Sequence, residues 1–234
     1  MRRPRIAGLL LVSMATLAQQ QQPVEITSEP RHHLVFENEY VRVFDVTVEP
    51  KGSTLVHHHS HDYLFVTLGD SDVVSERPGE KPVELVVKDG ETRFTPGNFS
   101  HAAINKSEKP FRNITIELLK PASNVKTCTE SCDLSVKCEN HAGCGQLVRQ
   151  ITSDQWAAST ITLQPSARLD GKLPASPYLL VAVSNIDLSG SQAGSSESLQ
   201  RSPGGLDWIA PGATPRFTNS GKTPATFVAL EFHP

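Results

Sequence analysis

The 234-residue chain has no long run of like charge, and 22 Lys and Arg against 25 Asp and Glu leave a formal net charge of −3. That balance offers no electrostatic footprint for DNA, RNA or an anionic membrane, so nucleic acid is not an expected partner. Helical periodicity is also missing: beyond residue 23, no stretch repeats apolar residues in the i, i+3, i+4 pattern of a helix face. Long hydrophobic runs are confined to Ile6 through Leu17, which is short for a membrane span, and nothing later is apolar enough to cross a bilayer. Cysteine is absent until Cys128, which leaves none near the start to carry a lipid anchor.

What is present begins with Arg2, Arg3 and Arg5 before the apolar run, with the small residues Thr16 and Ala18 at its end. That order of basic, apolar and small residues predicts a secretory leader over 1–22 and an exported product, periplasmic or extracellular, with no membrane span in its mature form. Cys128, Cys132, Cys138 and Cys144 then form an even set among polar residues. In an exported chain they are expected to oxidise, with three pairings open; a zinc knot that includes His141 is the alternative.

Between these features lie short β-type runs: Val41 to Val48, Tyr63 to Leu68, Val83 to Val87, Phe111 to Leu119, Ser159 to Leu163, Tyr178 to Val183 and Ala225 to Phe232. Turn residues such as Pro50-Lys51-Gly52, Asp89-Gly90 and Pro96-Gly97-Asn98 separate them, so the fold class is all-β. The two halves also repeat. At an offset of 115, Val46 and Val48 fall on Ile161 and Leu163, Tyr63-Leu64 on Tyr178-Leu179, Gly90 on Gly205, and Pro96-Gly97 on Pro211-Gly212. After one deletion the offset is 114, and Asn105, Pro110 and Glu117 fall on Asn219, Pro224 and Glu231. Agreement of turns and apolar positions in one register predicts two copies of one barrel, 23–122 and 148–234, joined by a cysteine-containing linker at 123–147.

The segment Pro50 to Gly69 reads PKGSTLVHHHSHDYLFVTLG. In a strand, side chains alternate, so His57, His59, His61 and Tyr63 would share one face. His101 opens a later extended run that a barrel could bring opposite them. Neutral imidazole ligates zinc, iron, copper and nickel, and three or four such nitrogens suffice for a site. His32, His33, His141 and His233 carry no comparable pattern. The acceptor tripeptides at Asn98, Asn105 and Asn113 fall within the motif or a strand and are taken as chance matches.

Gly90, Pro96, His101 and Asn105 stand at the spacings of the second motif of the cupin superfamily, G-x5-P-x-G-x2-H-x3-N, with Asn98 in place of its middle glycine. His57-x-His59 matches the core of the first motif, G-x5-H-x-H-x3-4-E-x6-G, while Gly52 and Gly69 each stand one residue closer than the pattern asks. The chain therefore resembles that superfamily. The resemblance implies two tandem jelly-roll β-barrels, the first holding a divalent ion (Fe, Mn, Ni, Cu or Zn) through His57, His59 and His101. Tyr63 stands where the family places a glutamate ligand, which leaves His61 and Tyr63 as candidates for the fourth position. Three neutral imidazoles would leave the ion its full double charge and so favour an anionic ligand.

Across the repeat, His57 maps to Lys172, His59 to Pro174, His61 to Ser176 and His101 to Pro215 or Arg216, so the second barrel lacks the ligands. The expected function is a metal-dependent enzyme of dioxygenase-like or related chemistry on a small anionic molecule, with Tyr63 as a hydrogen-bond donor to substrate. The competing reading is a non-catalytic binding or structural protein with the same ion. A homodimer is compatible with either.

Overall fold

Alternating apolar and polar positions become strands in nearly every region where the sequence predicts them. The computed structural model describes residues 22–128, 146–169, 176–192, 195–212 and 216–233. The expected leader, apart from residue 22, and Cys132, Cys138 and Cys144 lie outside the described residues, and so does the expectation about cysteine pairing; no free cysteine is found among the described residues.

The first half contributes β1 (Val24–Glu25), β2 (His32–Glu37), β3 (Val41–Val48), β4 (His57–His59), β5 (Tyr63–Thr67), β6 (Ser71–Glu76), β7 (Val83–Val87), β8 (Thr92–Thr95), β9 (Phe99–Asn105) and β10 (Phe111–Leu118). The second contributes β11 (Lys126–Thr127), β12 (Gln146–Thr152), β13 (Trp156–Leu163), β14 (Arg168–Leu169), β15 (Tyr178–Ala182), β16 (Ile186–Gln192), β17 (Ser195–Arg201), β18 (Leu206–Ile209), β19 (Arg216–Asn219) and β20 (Ala225–Phe232).

These strands form two sheets per half. The first half has orders β1-β4-β9-β6-β7 and β2-β3-β10-β5-β8; the second has β14-β19-β16-β17 and β11-β12-β13-β20-β15-β18. The order β2-β3-β10-β5-β8 recurs as β12-β13-β20-β15-β18 and β4-β9-β6-β7 as β14-β19-β16-β17, as expected of a duplicated jelly roll, while β1 and β11 have no counterpart among the described residues. Lys126–Thr127, within the segment read as linker, pairs with β12 and so belongs to the second half's sheet.

The repeat extends to side-chain bonds. Asn105 Nδ2 donates to the carbonyls of Val48 (3.0 Å) and Lys109 (2.7 Å), and Asn219 Nδ2 donates to those of Leu163 and Thr223 (2.8 Å each). Each asparagine satisfies buried turn carbonyls that water cannot reach. Asn105 and Asn113 are buried, which agrees with their tripeptides being chance matches.

One detail of the repeat is corrected. Gly90 and Gly204, both at positive φ, donate their N–H groups to the carbonyls of Thr67 and Ala182. Thus Gly90 corresponds to Gly204, not Gly205, and Asn98 to Gly212, the pair in the left-handed region that short turns require. The single-residue deletion therefore precedes this turn, and His101 corresponds to Pro215.

Alternation along each strand sends side chains to two cores. From β10, Ile114, Ile116 and Leu118 join Val41, Val43, Leu64 and Val66 in a layer that meets Trp156, Leu179, Val181 and Leu230 of the second half. The two barrels thus share one core, in which each fully buried large side chain contributes about 1.5–3 kcal/mol. The opposite faces of these strands, with Phe44, Val46, Val48 and Phe111, line the interior of the first barrel.

Candidate metal centre

β4 and β9 are antiparallel neighbours, with His57 directly opposite His101 and His59 opposite Phe99. Because His57 and His59 are two residues apart on an extended strand, both point inward, and the ladder register adds His101 from across the pair. Gly97 makes this approach possible: a β-carbon there would collide with the backbone of His61. Its N–H donates to Asp62 Oδ1 (2.8 Å), and the N–H of Asn98 donates to the carbonyl of His59 (2.6 Å).

The Nε2 atoms of His57 and His59 lie 3.1 Å apart, and those of His59 and His101 3.3 Å. All three residues are buried, and their ligating atoms lie within 4.8 Å of one another. Two imidazole nitrogens each about 2.0–2.1 Å from one ion at a tetrahedral angle stand roughly 3.3 Å apart, so the set fits a divalent ion.

The outer ring atoms support that assignment. His57 Nδ1 donates to the Leu55 carbonyl (3.0 Å), which fixes the tautomer and turns the Nε2 lone pair inward. His101 Nδ1 meets Ser75 Oγ at 2.8 Å. His59 Nδ1 is buried without a hydrogen-bond partner among the described residues, so packing holds this ring. Burial, with help from His32, pushes His57 down to about 4; burial, followed by His57, pushes His101 down to about 3. His59 is lowered as well, by burial first and then by the two other imidazoles. The three rings are therefore neutral at pH 7, with lone pairs available.

Tyr63 lies at the same cavity, its ring stacked on His59. Burial pushes its phenol up to about 12 against a hydrogen bond with Thr95, so it remains protonated. His61 is not brought to the cluster. β4 ends at His59, the chain turns, and His61 lies near Glu117, whose carboxyl it pulls down against the upward push of burial. Glu117 accepts from Arg42 (3.2 Å).

The structure adds residues that the sequence pattern did not single out. His32, on β2, lies with its ring centroid 4.6 Å from that of His57, and its Nδ1 is 2.7 Å from Glu29 Oε2. Burial raises the Glu29 carboxyl, but bonds from His32 and from the N–H groups of Leu55 and Arg31 outweigh it and bring it down to about 2. Arg77 and Phe99 also face the cavity. The signal that places His32 is its register opposite Val46, an interior position, which is a tertiary fact.

The cavity holds about 190 Å³ and runs from the histidines along apolar walls that include Phe65, Val73, Leu85 and Phe111. In the second barrel, Lys172 and Pro174 lie outside the described residues, while Ser176 Oγ donates to Glu231 Oε1 (3.4 Å).

Comparison with known proteins gives the fold a name. No protein-family model matches the sequence, and no curated protein matches it. Among solved structures, AerE from Microcystis aeruginosa superposes with a TM-score of 0.60 at 9% identity, covering 88% of this chain and 99% of its own. Vicilin from Capsicum annuum gives 0.58 at 10%, covering 83% and 76%. The Bacillus subtilis oxalate decarboxylase, described with Mn(II) centers, gives 0.54 at 12%, covering 83% and 69%. The cupin 2 conserved barrel domain protein from Leptotrichia buccalis gives 0.53 at 7%, covering 86% and 87%. The fold is thus that of a bicupin. Identities of this size establish shared architecture, so the chemistry of the bicupin has to be argued from its own residues.

Proposed function

We propose that the first barrel of this bicupin is the site of a metal-dependent enzyme that acts on a small anionic molecule, and that the chain is exported. The observation that carries this reading is the convergence of three buried, neutral imidazoles on an accessible cavity. A closed structural site would take a fourth protein ligand, and His61 stands away from the cluster. His57, His59 and His101 would hold the ion. Iron, manganese, nickel, copper and zinc all accept imidazole, and manganese is present in the similarly folded oxalate decarboxylase. Such an ion supplies Lewis-acid or oxygen-activating chemistry.

The chain's own residues provide the rest. With no carboxylate in the ligand set, the ion's charge is not offset, which favours an anion. Tyr63, neutral and held by Thr95, can donate a hydrogen bond to a bound ligand. His32, anchored through Nδ1 to an ionised Glu29, keeps its Nε2 for the cavity. The aromatic and aliphatic walls exclude water. The second barrel serves as packing partner, the basic and apolar start of the sequence as an export leader, and the cysteines of the linker as disulfides.

The test is metal content by elemental mass spectrometry on untagged protein, with a His57→Ala/His101→Ala variant in parallel. About one equivalent in the parent and none in the variant is expected, followed by oxygen-uptake screening of small acids. Absence of metal from the parent even after reconstitution would overturn the enzyme reading.

A further inference from the structure

Arg77 follows β6 at the first-barrel cavity. Its guanidinium carbon lies 3.9 Å from the centroid of the Phe99 ring, and that ring lies 5.1 Å from His101 and 5.6 Å from His59, centroid to centroid. One aromatic ring therefore separates a fixed positive charge from the histidine cluster. Its charge is felt inside: after burial and the neighbouring imidazoles it adds to the lowering of His101, and it opposes the rise of Tyr63.

Arg77 differs from other arginines of the molecule in what holds it. Arg42, Arg93, Arg112 and Arg201 each have a carboxylate within 3.2 Å. Arg77 makes no ion pair among the described residues and is positioned by stacking. Stacking on an aromatic face orients the planar fork while leaving its N–H donors available, and that fork matches a carboxylate with two parallel bonds.

The remaining surface limits the partner. The cavity walls are mainly apolar, Phe65, Val73, Leu85 and Phe111 among them, with Thr95, Asn113 and Thr115 as uncharged polar points. A space of about 190 Å³ equals roughly six waters at ~30 Å³ each, or a molecule of about ten non-hydrogen atoms. Apolar walls and a single guanidinium suit one negative charge on an apolar body better than a dianionic phosphate.

We propose that the ligand of this barrel is a small monocarboxylate with a compact apolar body, its carboxylate gripped by Arg77 and its body seated between the apolar walls and the histidine cluster. This inference rests on reading the barrel as a ligand-binding metal site, and its test separates the two. Calorimetric titrations of 3-methylbutanoate and benzoate, each beside its isosteric amide, are made with chelator-treated protein and again after loading with Mn(II).

The parent is expected to prefer acid over amide at least tenfold in both states. Arg77→Gln should abolish that preference while keeping the parent's metal content and thermal midpoint, and Arg77→Lys should retain part of it. An acid preference that vanishes on chelation and is unchanged in Arg77→Gln would assign the carboxylate to the ion and overturn the inference. So would failure of the parent to bind either acid in either state. Arg77-dependent acid binding by a parent that takes up no metal would uphold the inference and remove the enzyme reading.

Discussion

The ring of Tyr63 lies flat against that of His59, with centroids 4.1 Å apart and planes 15° from parallel. His59 lacks a hydrogen-bond partner at Nδ1 among the described residues, so this stack, rather than a bond to its outer nitrogen, sets the direction of its Nε2. Tyr63→Phe should keep the stack and bind metal as the parent does, losing only the hydroxyl. Tyr63→Leu should weaken metal affinity by about tenfold, the low end for loss of a group that orients a ligand. Competition titration with a metal-sensitive dye separates the two, and equal affinity of all three proteins would show that the stack is incidental.

His61 stands outside the cluster, so its removal should spare the ion. His61→Ala is expected to retain the parent's metal content, whereas His101→Ala, which removes the imidazole opposite His57, should lose it. Elemental analysis after dialysis reads both. Loss of metal from His61→Ala would place that side chain back among the ligands.

Glu29 links stability to pH. Its folded value of about 2 lies below the ordinary carboxyl value of 4.5, so its contribution is fully present above about pH 4.5 and is lost as pH falls toward 2. The difference corresponds to on the order of 3 kcal/mol at neutral pH. Urea unfolding of metal-free parent and Glu29→Gln should show a gap of a few kcal/mol at pH 7 that narrows steadily below pH 4.5. A gap independent of pH would mean that the charge of Glu29 does not carry its effect.

Trp156 is 1% exposed in the core shared by the barrels, and its ring lies 5.6 Å from that of Phe94 of the first barrel. Trp156→Ala should cost about 3–5 kcal/mol, as cavities of that size do. Since both barrels use this layer, the parent should unfold in one transition, with tryptophan fluorescence and far-ultraviolet circular dichroism coincident. Two separated transitions would show that each barrel is stable without the other.

Much of this molecule was legible in its residues. Strands of two-residue period have no helical alternative when apolar positions never recur at three and four, and Val41–Val48, Val83–Val87 and Ala225–Phe232 form with the bounds expected of them. The repeat was readable because turn asparagines, glycines and prolines are chosen by local backbone geometry. The pairing of His57 with His59 followed from the same two-residue alternation.

That alternation is also where the sequence stopped short. It groups His61 with its neighbours only while the chain stays extended, and the turn after β4 ends the pattern. His101 meets His57 because of a ladder register between strands far apart in sequence, and His32 and Arg77 reach the cavity from other strands and turns, with Glu29 behind His32 and no local signal of their own. Local alternation therefore determined the fold and which two histidines share a face. Register and sheet packing, which depend on contacts between distant segments, decided which third imidazole joins them, which stays out, and what lines the space in front.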